Sequence, residues 1–201
     1  ISPNVVPSQA EVLYLIRSRN NQSVQKLSER VSNIAKGAAL MTDTTVDIVF
    51  DKAVSNVIPN DTLATLVYNV MQTVPLPQYN TEEKQYINNY RKIIGDDWYQ
   101  DLGLIPAFQL DDRQKLCQDH PYGDFILPYS PQDVIETASS DMGDVSQIVP
   151  LIQLHCACFC LGTQPHSWIQ VAQGTSSYAI KGMLYASEVL YQTCIRLFED
   201  T

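Results

Sequence analysis

The feature that most constrains the fold is a short strand–helix–strand pattern within residues 1–51. Residues 10–18, AEVLYLIRS, are rich in β-branched and aromatic side chains and predict a strand. Apolar residues at helical spacing from Val24 to Met41 predict a helix. Its candidate N-caps are Asn20, Asn21 and Ser23. TTVDIVFDKAV then alternates, which predicts a half-exposed strand. Two strands cannot form a whole sheet, so their partners must come from elsewhere.

The remaining sequence, residues 52–201, mixes helical and strand-like patterns. Asn60 is expected to cap one helix, and Asn80 with Glu83 forms a capping box for the next. FILPY, VSQIVPLI and LHCACFCL predict short strands. A long amphipathic helix is predicted from about residue 176 to residue 198. Its expected buried stripe is Ala179, Met183, Ala186, Leu190, Cys194 and Leu197. The alternation predicts an α/β or α+β fold in two parts, residues 1–51 and 52–201.

Charge and composition exclude several classes of function. The formal net charge is −9, and no cluster of Lys and Arg offers the basic patch that nucleic acid requires. No apolar run approaches the roughly 20 residues of a membrane span. The five cysteines form no CxxC pair and no disulfide framework. Free thiols in a reducing compartment are the simplest interpretation, which predicts a cytoplasmic protein.

Three of the five cysteines lie in the segment HCACFC, at positions 156, 158 and 160. In a strand these thiols share one face. Zinc binding or redox chemistry is one hypothesis, although side chains along one strand rarely converge tetrahedrally. Packing as small hydrophobic groups is the favoured alternative.

The segment LGTQPHSW places His166 after a strand-like run, where α/β sheets often carry ligand sites. Imidazole is a common nitrogen ligand for zinc, but one histidine does not make a metal site. From the residues alone, His166 is equally well explained as a turn residue and as a ligand.

Two further segments could bind an anionic group. ASSDMGDVS, residues 138–146, favours a tight turn whose backbone N–H groups could bind an anion, although an ordinary Ser- and Asp-rich turn explains it better. Asn4 of NVVP and Arg17 are donors suited to a carboxylate. A turn residue and a solvated strand end are the structural alternatives for these two.

In order, the segments NVVPSQAEVLYLIR, AKGAALMTDT, SSDMGDVS, LGTQPHSW and AQGTSSYAIKGMLYASEVL resemble the di-metal amidohydrolases and exopeptidases of the aminoacylase/carboxypeptidase-G superfamily. The resemblance covers nearly the whole chain, but only the C-terminal half of such a protein. It implies that residues 1–51 are the second half of an antiparallel, ferredoxin-like lid or dimerisation domain. Residues 52–201 would be the C-terminal part of a zinc-peptidase-like catalytic domain. The chain's start at Ile1 is consistent with a portion of a longer protein.

The resemblance also assigns roles to individual residues. His166 matches the last metal-binding histidine of a GTPGHSW-like motif, but Gln164-Pro165 replaces the usual Pro-Gly. Pro165 restricts the backbone before His166, which bears on the orientation of the imidazole. The residues implied to bind substrate are Asn4, Arg17, Ser139, Ser140 and Asp141.

The implied activity is metal-assisted hydrolysis of N-acyl amino acids or of aryl amides such as aminobenzoyl-glutamate. The intact enzyme would hold two divalent ions, zinc or manganese, and would dimerise through the lid. This chain alone would hold no catalytic residue and at most one metal ligand, and we expect it to bind no metal stably. The alternative is a non-catalytic dimerisation fragment or a degenerate paralogue.

Overall fold

The structure is a computed structural model, and it describes residues 4–95, 115–116, 118–129 and 139–199. Cys117, one of the five cysteines, and Ala138, the first residue of ASSDMGDVS, lie outside the described residues. The helices with described bounds are α1 (Asn21–Thr42), α2 (Asp61–Met71), α3 (Thr81–Ile94), α4 (Met142–Ser146), α5 (Trp168–Gln173) and α6 (Ser177–Glu199).

The predicted starts of α1, α2 and α3 are confirmed, and a local cap explains each of them. The Asn20 side chain accepts a hydrogen bond from the Ser23 N–H at 2.9 Å and begins α1. Asn60 caps α2 in the same way. At α3 the Asn80 side chain accepts from the Glu83 N–H at 2.9 Å, and the Glu83 carboxylate accepts from the Asn80 N–H at 2.8 Å. The predicted capping box is therefore present.

The predicted α/β fold is wrong for the described part of the chain, which contains helices and no β-strand. Residues 10–18 and 44–54 have non-helical backbone without a ladder partner, so the ferredoxin-like lid is also wrong. Of the later strand candidates, VSQIVPLI partly enters α4, and FILPY and LHCACFCL pair with no strand. Strand propensity describes a side chain's fit to a pleated surface, whereas a strand exists only when a neighbour completes its hydrogen bonds.

The described residues divide into two compact units. The first unit contains the described residues of 1–58 and 135–149, and the second contains those of 59–134 and 150–199. The first unit holds α1 and α4, and α1 buries none of its residues. The second unit holds α2, α3, α5 and α6 and has two hydrophobic clusters.

The first cluster of the second unit lies between α2 and α6. Val67 and Val70 of α2 contact Tyr185 and Val189 of α6. Partly buried side chains that pack on this cluster are Met71, Val74, Leu76, Ile152, Leu154 and Cys156. The second cluster contains Ile87 of α3, Tyr178 of α6 and Cys160, which lies outside the helices. Segment 152–160, which contains most of the predicted strand LHCACFCL, thus contributes to both clusters without pairing with a described strand.

An ion pair between a buried carboxylate and a partly exposed lysine joins α3 to α6. The Lys181 ammonium lies 2.7 Å from the Glu83 carboxylate, which is only 4% exposed. Burial alone would raise the pKa of the Glu83 carboxyl, but hydrogen bonds from Lys181, Asn80 and Ser177 outweigh it and hold the pKa below its ordinary value. Glu83 therefore completes the N-terminal capping box of α3 and also joins α3 to α6.

We expect Gly182→Ala to lower the free energy of unfolding by about 1–3 kcal/mol, because a Cβ there would lie 2.3 Å from the Ala157 carbonyl oxygen. The control is Gly37→Ala in α1, where the added methyl group meets nothing within 4 Å. That change should be neutral or stabilise by up to about 1 kcal/mol through helix propensity. Urea unfolding followed by circular dichroism measures both. Equal effects would contradict the close approach at Gly182.

Glu83 should make stability depend on pH in the acid range. Its folded pKa is depressed, so its contribution is fully present above the ordinary value of 4.5 and is lost as pH falls through the lower folded value. Glu83→Gln should cost about 1–3 kcal/mol at pH 7, and the difference from wild type should narrow as pH falls below the ordinary value of 4.5. Urea unfolding at pH 3 to 7 tests this. A difference independent of pH would contradict an ionised, buried Glu83.

Candidate functional site

The turn that carries His166 is built on the end of segment 152–160. The Thr163 N–H and hydroxyl both donate to the Cys160 carbonyl, at 3.0 and 2.7 Å. Gly162 adopts φ 86°, a left-handed conformation that glycine accepts without strain. The chain thus reverses immediately after a buried cysteine and reaches the surface at residues 164–166.

Gln173 anchors this turn from inside the second unit. Its side chain is fully buried, and its amide oxygen accepts from the Cys160 N–H at 2.8 Å. Its amide nitrogen donates to the Thr163 hydroxyl at 3.0 Å and to the Ile169 carbonyl at 3.1 Å. Sequence reasoning missed Gln173. A glutamine at the C-terminal end of a short helix has no distinguishing pattern, and only the folded chain shows its three partners.

His166 itself is held by its backbone and leaves its side chain exposed. Its N–H donates to the Gln170 side-chain oxygen at 2.9 Å. Its φ of 59° is left-handed, a conformation that costs a residue other than glycine about 1–3 kcal/mol and often marks functional positions. The imidazole makes no hydrogen bond with any residue that the structure describes. Both ring nitrogens are therefore open to a ligand.

Ser167 starts α5 directly after His166. The Ser167 hydroxyl accepts from the Gln170 N–H at 3.3 Å and donates to the Gln164 carbonyl at 2.7 Å. Pro165 is accommodated between these bonds, because proline needs no N–H partner. The Gln-Pro replacement is therefore compatible with a closed, capped turn that exposes His166.

The other predicted site residues belong to the first unit. Asn4 and Arg17 are exposed, as are Ser139, Ser140 and Asp141. Ser140 and Asp141, which are neighbours in sequence, also interact, with the Ser140 hydroxyl 3.2 Å from the Asp141 carboxylate. A site shared by these residues and His166 stays a prediction.

The ASSDMGDVS segment uses its donors within its own turn. The Met142 N–H donates to the Ser140 hydroxyl, and the Gly143 and Asp144 N–H groups donate to the Ser140 and Asp141 carbonyls. The premise that these N–H groups are free for an anion is therefore wrong. Satisfying such donors locally is the usual behaviour of Ser- and Asp-rich turns.

The same segment also holds residues 55–58 in place. The Asp144 carboxylate accepts from the Ser55 N–H at 3.0 Å, and the Ser146 hydroxyl accepts from the Ile58 N–H at 2.9 Å. Hydrogen bonds from the Ser55 side chain and backbone keep the pKa of Asp144 below its ordinary value. A Cβ on Gly143 would lie 1.8 Å from the Ser55 carbonyl oxygen. These side chains thus have a structural role.

Two of the three cysteines of HCACFC pack in hydrophobic clusters, and Cys158 is partly buried. Cys156 and Cys160 belong to the two clusters of the second unit. Burial raises the pKa of Cys156 to about 11 and also raises the pKa values of Cys158 and Cys160. Thiols with raised pKa values are poor nucleophiles and poor metal ligands at neutral pH. The packing hypothesis is therefore favoured over redox chemistry.

Within the described ranges, no three His, Cys, Asp or Glu side chains lie close enough to hold a metal ion. His166 fits the role of a single ligand, but these residues do not complete a site around it. None of the described helices is both long and apolar enough to cross a membrane.

Comparison with known proteins identifies a relative along the whole chain, while the superfamily that the motifs suggest stays a prediction. The chain is 40% identical, over its full length, to a subunit of p-aminobenzoyl-glutamate hydrolase of Escherichia coli (strain K12), and it covers 43% of that protein. A 66-residue part, 32% of the chain, is 36% identical to Xaa-Arg dipeptidase of Mus musculus and covers 15% of it. No protein-family model and no solved structure matches the chain. The chain thus spans less than half the length of the curated relatives it matches.

Proposed function

We propose that this chain is the C-terminal portion of a metal-dependent amidohydrolase that cleaves N-acyl or aryl-amide derivatives of amino acids. The observation that carries the proposal is the 40% identity along the whole chain to a protein named as a hydrolase of p-aminobenzoyl-glutamate. The shorter match, to a dipeptidase, also concerns an enzyme that cleaves an amide bond next to an amino acid. Both comparisons therefore favour the same reaction class.

In this proposal His166 is one ligand of a divalent ion, zinc or manganese. Such an ion, when bound, lowers the pKa of a coordinated water and polarises the amide carbonyl. The support is the exposed imidazole on a turn that Gln173 and Gln170 hold from two sides. The remaining ligands and the general base would come from outside the described residues.

Substrate binding is assigned to the first unit. Arg17 and Asn4 are suited to the free carboxylate of the substrate, because a guanidinium binds a carboxylate through two parallel hydrogen bonds. Ser139, Ser140 and Asp141 would line the same site. Homodimerisation through residues 1–51 and a cytoplasmic location complete the proposal.

The test is a chimera in which this chain replaces the aligned part of the Escherichia coli relative. His166→Ala should lower the hydrolysis of p-aminobenzoyl-glutamate at least 100-fold and reduce bound metal, measured by product release and elemental analysis. The matched control is His155→Ala, another exposed histidine of the second unit, which should change neither. Full activity and metal content in His166→Ala would remove the ligand role. A folded chimera without metal or activity would favour the non-catalytic alternative.

A second prediction concerns the substrate's carboxylate. In the same chimera Arg17→Met should raise KM for p-aminobenzoyl-glutamate about 10-fold or more, with a smaller effect on kcat, because ground-state binding is lost. The control is Arg19→Met, an exposed arginine two residues further along. Equal steady-state constants for the two variants would contradict a role for Arg17 in binding the carboxylate.

A further inference from the structure

Helix α6 has two apolar faces, and the described structure buries one of them. The buried face carries Tyr178, Gly182, Tyr185, Val189 and Thr193, which pack within the second unit. Four residues of the stripe expected to be buried, Met183, Leu190, Cys194 and Leu197, are exposed instead. Both faces have helical periodicity, so the pattern alone could not assign the interior side.

The exposed face is continuous along the helix. Its residues recur at seven-residue intervals in three series, 180, 187 and 194, then 183, 190 and 197, then 184, 191 and 198. Seven of its large apolar side chains are between 44% and 82% exposed: Ile180, Met183, Leu184, Leu190, Tyr191, Leu197 and Phe198. Ser187 and Cys194 complete it, and none of the nine residues is charged. We call these nine residues the outer face of α6.

The width of the outer face indicates what can cover it. A helix with apolar residues at two positions in every seven packs against one other helix. Apolar residues at three positions in every seven form a stripe about 100° wide, which is typical of a helix that packs on a globular core. A lipid surface is a poor match, because membrane-binding helices expose a cationic face opposite the apolar one. Here the opposite face is buried in protein, and the chain's net charge is −9.

We propose that the outer face of α6 packs against the part of a longer hydrolase polypeptide that corresponds to the unaligned length of the Escherichia coli relative. More than half of that relative has no counterpart in this chain, which is enough polypeptide to form a globular core. One side of α6 is already packed, and its other side carries this wide, uncharged stripe. A helix with that arrangement is typical of one that lies between two layers of a single domain. The inference rests on the proposal that this chain is a portion of such a hydrolase.

The experiment compares the isolated chain with the chimera described above. Cys194 lies in the outer face and is exposed, so iodoacetamide should alkylate it readily in the isolated chain. In the chimera its alkylation rate, read residue by residue by mass spectrometry, should fall at least 10-fold. Equal rates in the two proteins would overturn the proposal.

Two matched substitutions test the same face by stability. Leu190→Lys places a charge in the outer face, whereas Gln192→Lys places it beside Glu188, off that face. In the isolated chain both should leave Tm nearly unchanged. In the chimera Leu190→Lys alone should lower Tm by several degrees, since a buried charge is then unpaired. Equal shifts in the chimera would overturn the proposal.

Other occupants give different results. A dimer of the isolated chain that Leu190→Lys abolishes would assign the outer face to a second copy and overturn the proposal, as would vesicle binding that depends on Leu190. If the chimera is insoluble, the two pieces are co-expressed, and failure to co-purify counts against the proposal. Protected Cys194 without hydrolysis would retain this inference and contradict the proposed function, whereas hydrolysis with reactive Cys194 would do the reverse.

Discussion

The close approach of α6 to the backbone at Ala157 organises the second unit. Only a residue without a side chain fits there, because a Cβ on Gly182 would lie 2.3 Å from the Ala157 carbonyl oxygen. The contact holds segment 152–160 along α6, with Cys156 in one hydrophobic cluster and Cys160 in the other. Cys160 is also where the His166 turn begins, so the position of the candidate ligand depends on the packing of α6.

A second layer of constraint is polar and buried. Gln173 joins the Cys160 N–H, the Thr163 hydroxyl and the Ile169 carbonyl, and it thereby connects the end of the packed segment to α5. Leaving such groups unsatisfied in the interior would cost about 1–3 kcal/mol each. The base of the turn is therefore held by buried hydrogen bonds, while His166 at its tip is exposed. A buried base and an exposed tip suit a residue that the protein positions and that a ligand can bind.

Sequence reasoning succeeded where the determining interactions are short in range. The caps at Asn20, Asn60 and Asn80 involve bonds across three residues, and each was predictable from residue type and spacing. It failed for the strands, because strand partners are distant in sequence or absent from the described residues. For ASSDMGDVS the favoured ordinary turn is confirmed, but the bonds from Asp144 and Ser146 to a segment almost 90 residues away were not predictable from the local pattern.

By itself the sequence determined the helix starts, the bounds of α6 within about a residue, the acidic character and the histidine turn worth testing. Its motif order also pointed to amidohydrolases, and the chain is 40% identical along its own length to a protein named as a hydrolase. Only the tertiary structure decided which face of α6 is buried and that Gln173 anchors the turn, whereas the packing role of the HCACFC thiols was already favoured by the sequence. The physical reason is that both faces of α6 are apolar and periodic. Which one becomes interior depends on close contacts such as Gly182 with Ala157, and sequence periodicity does not encode those contacts.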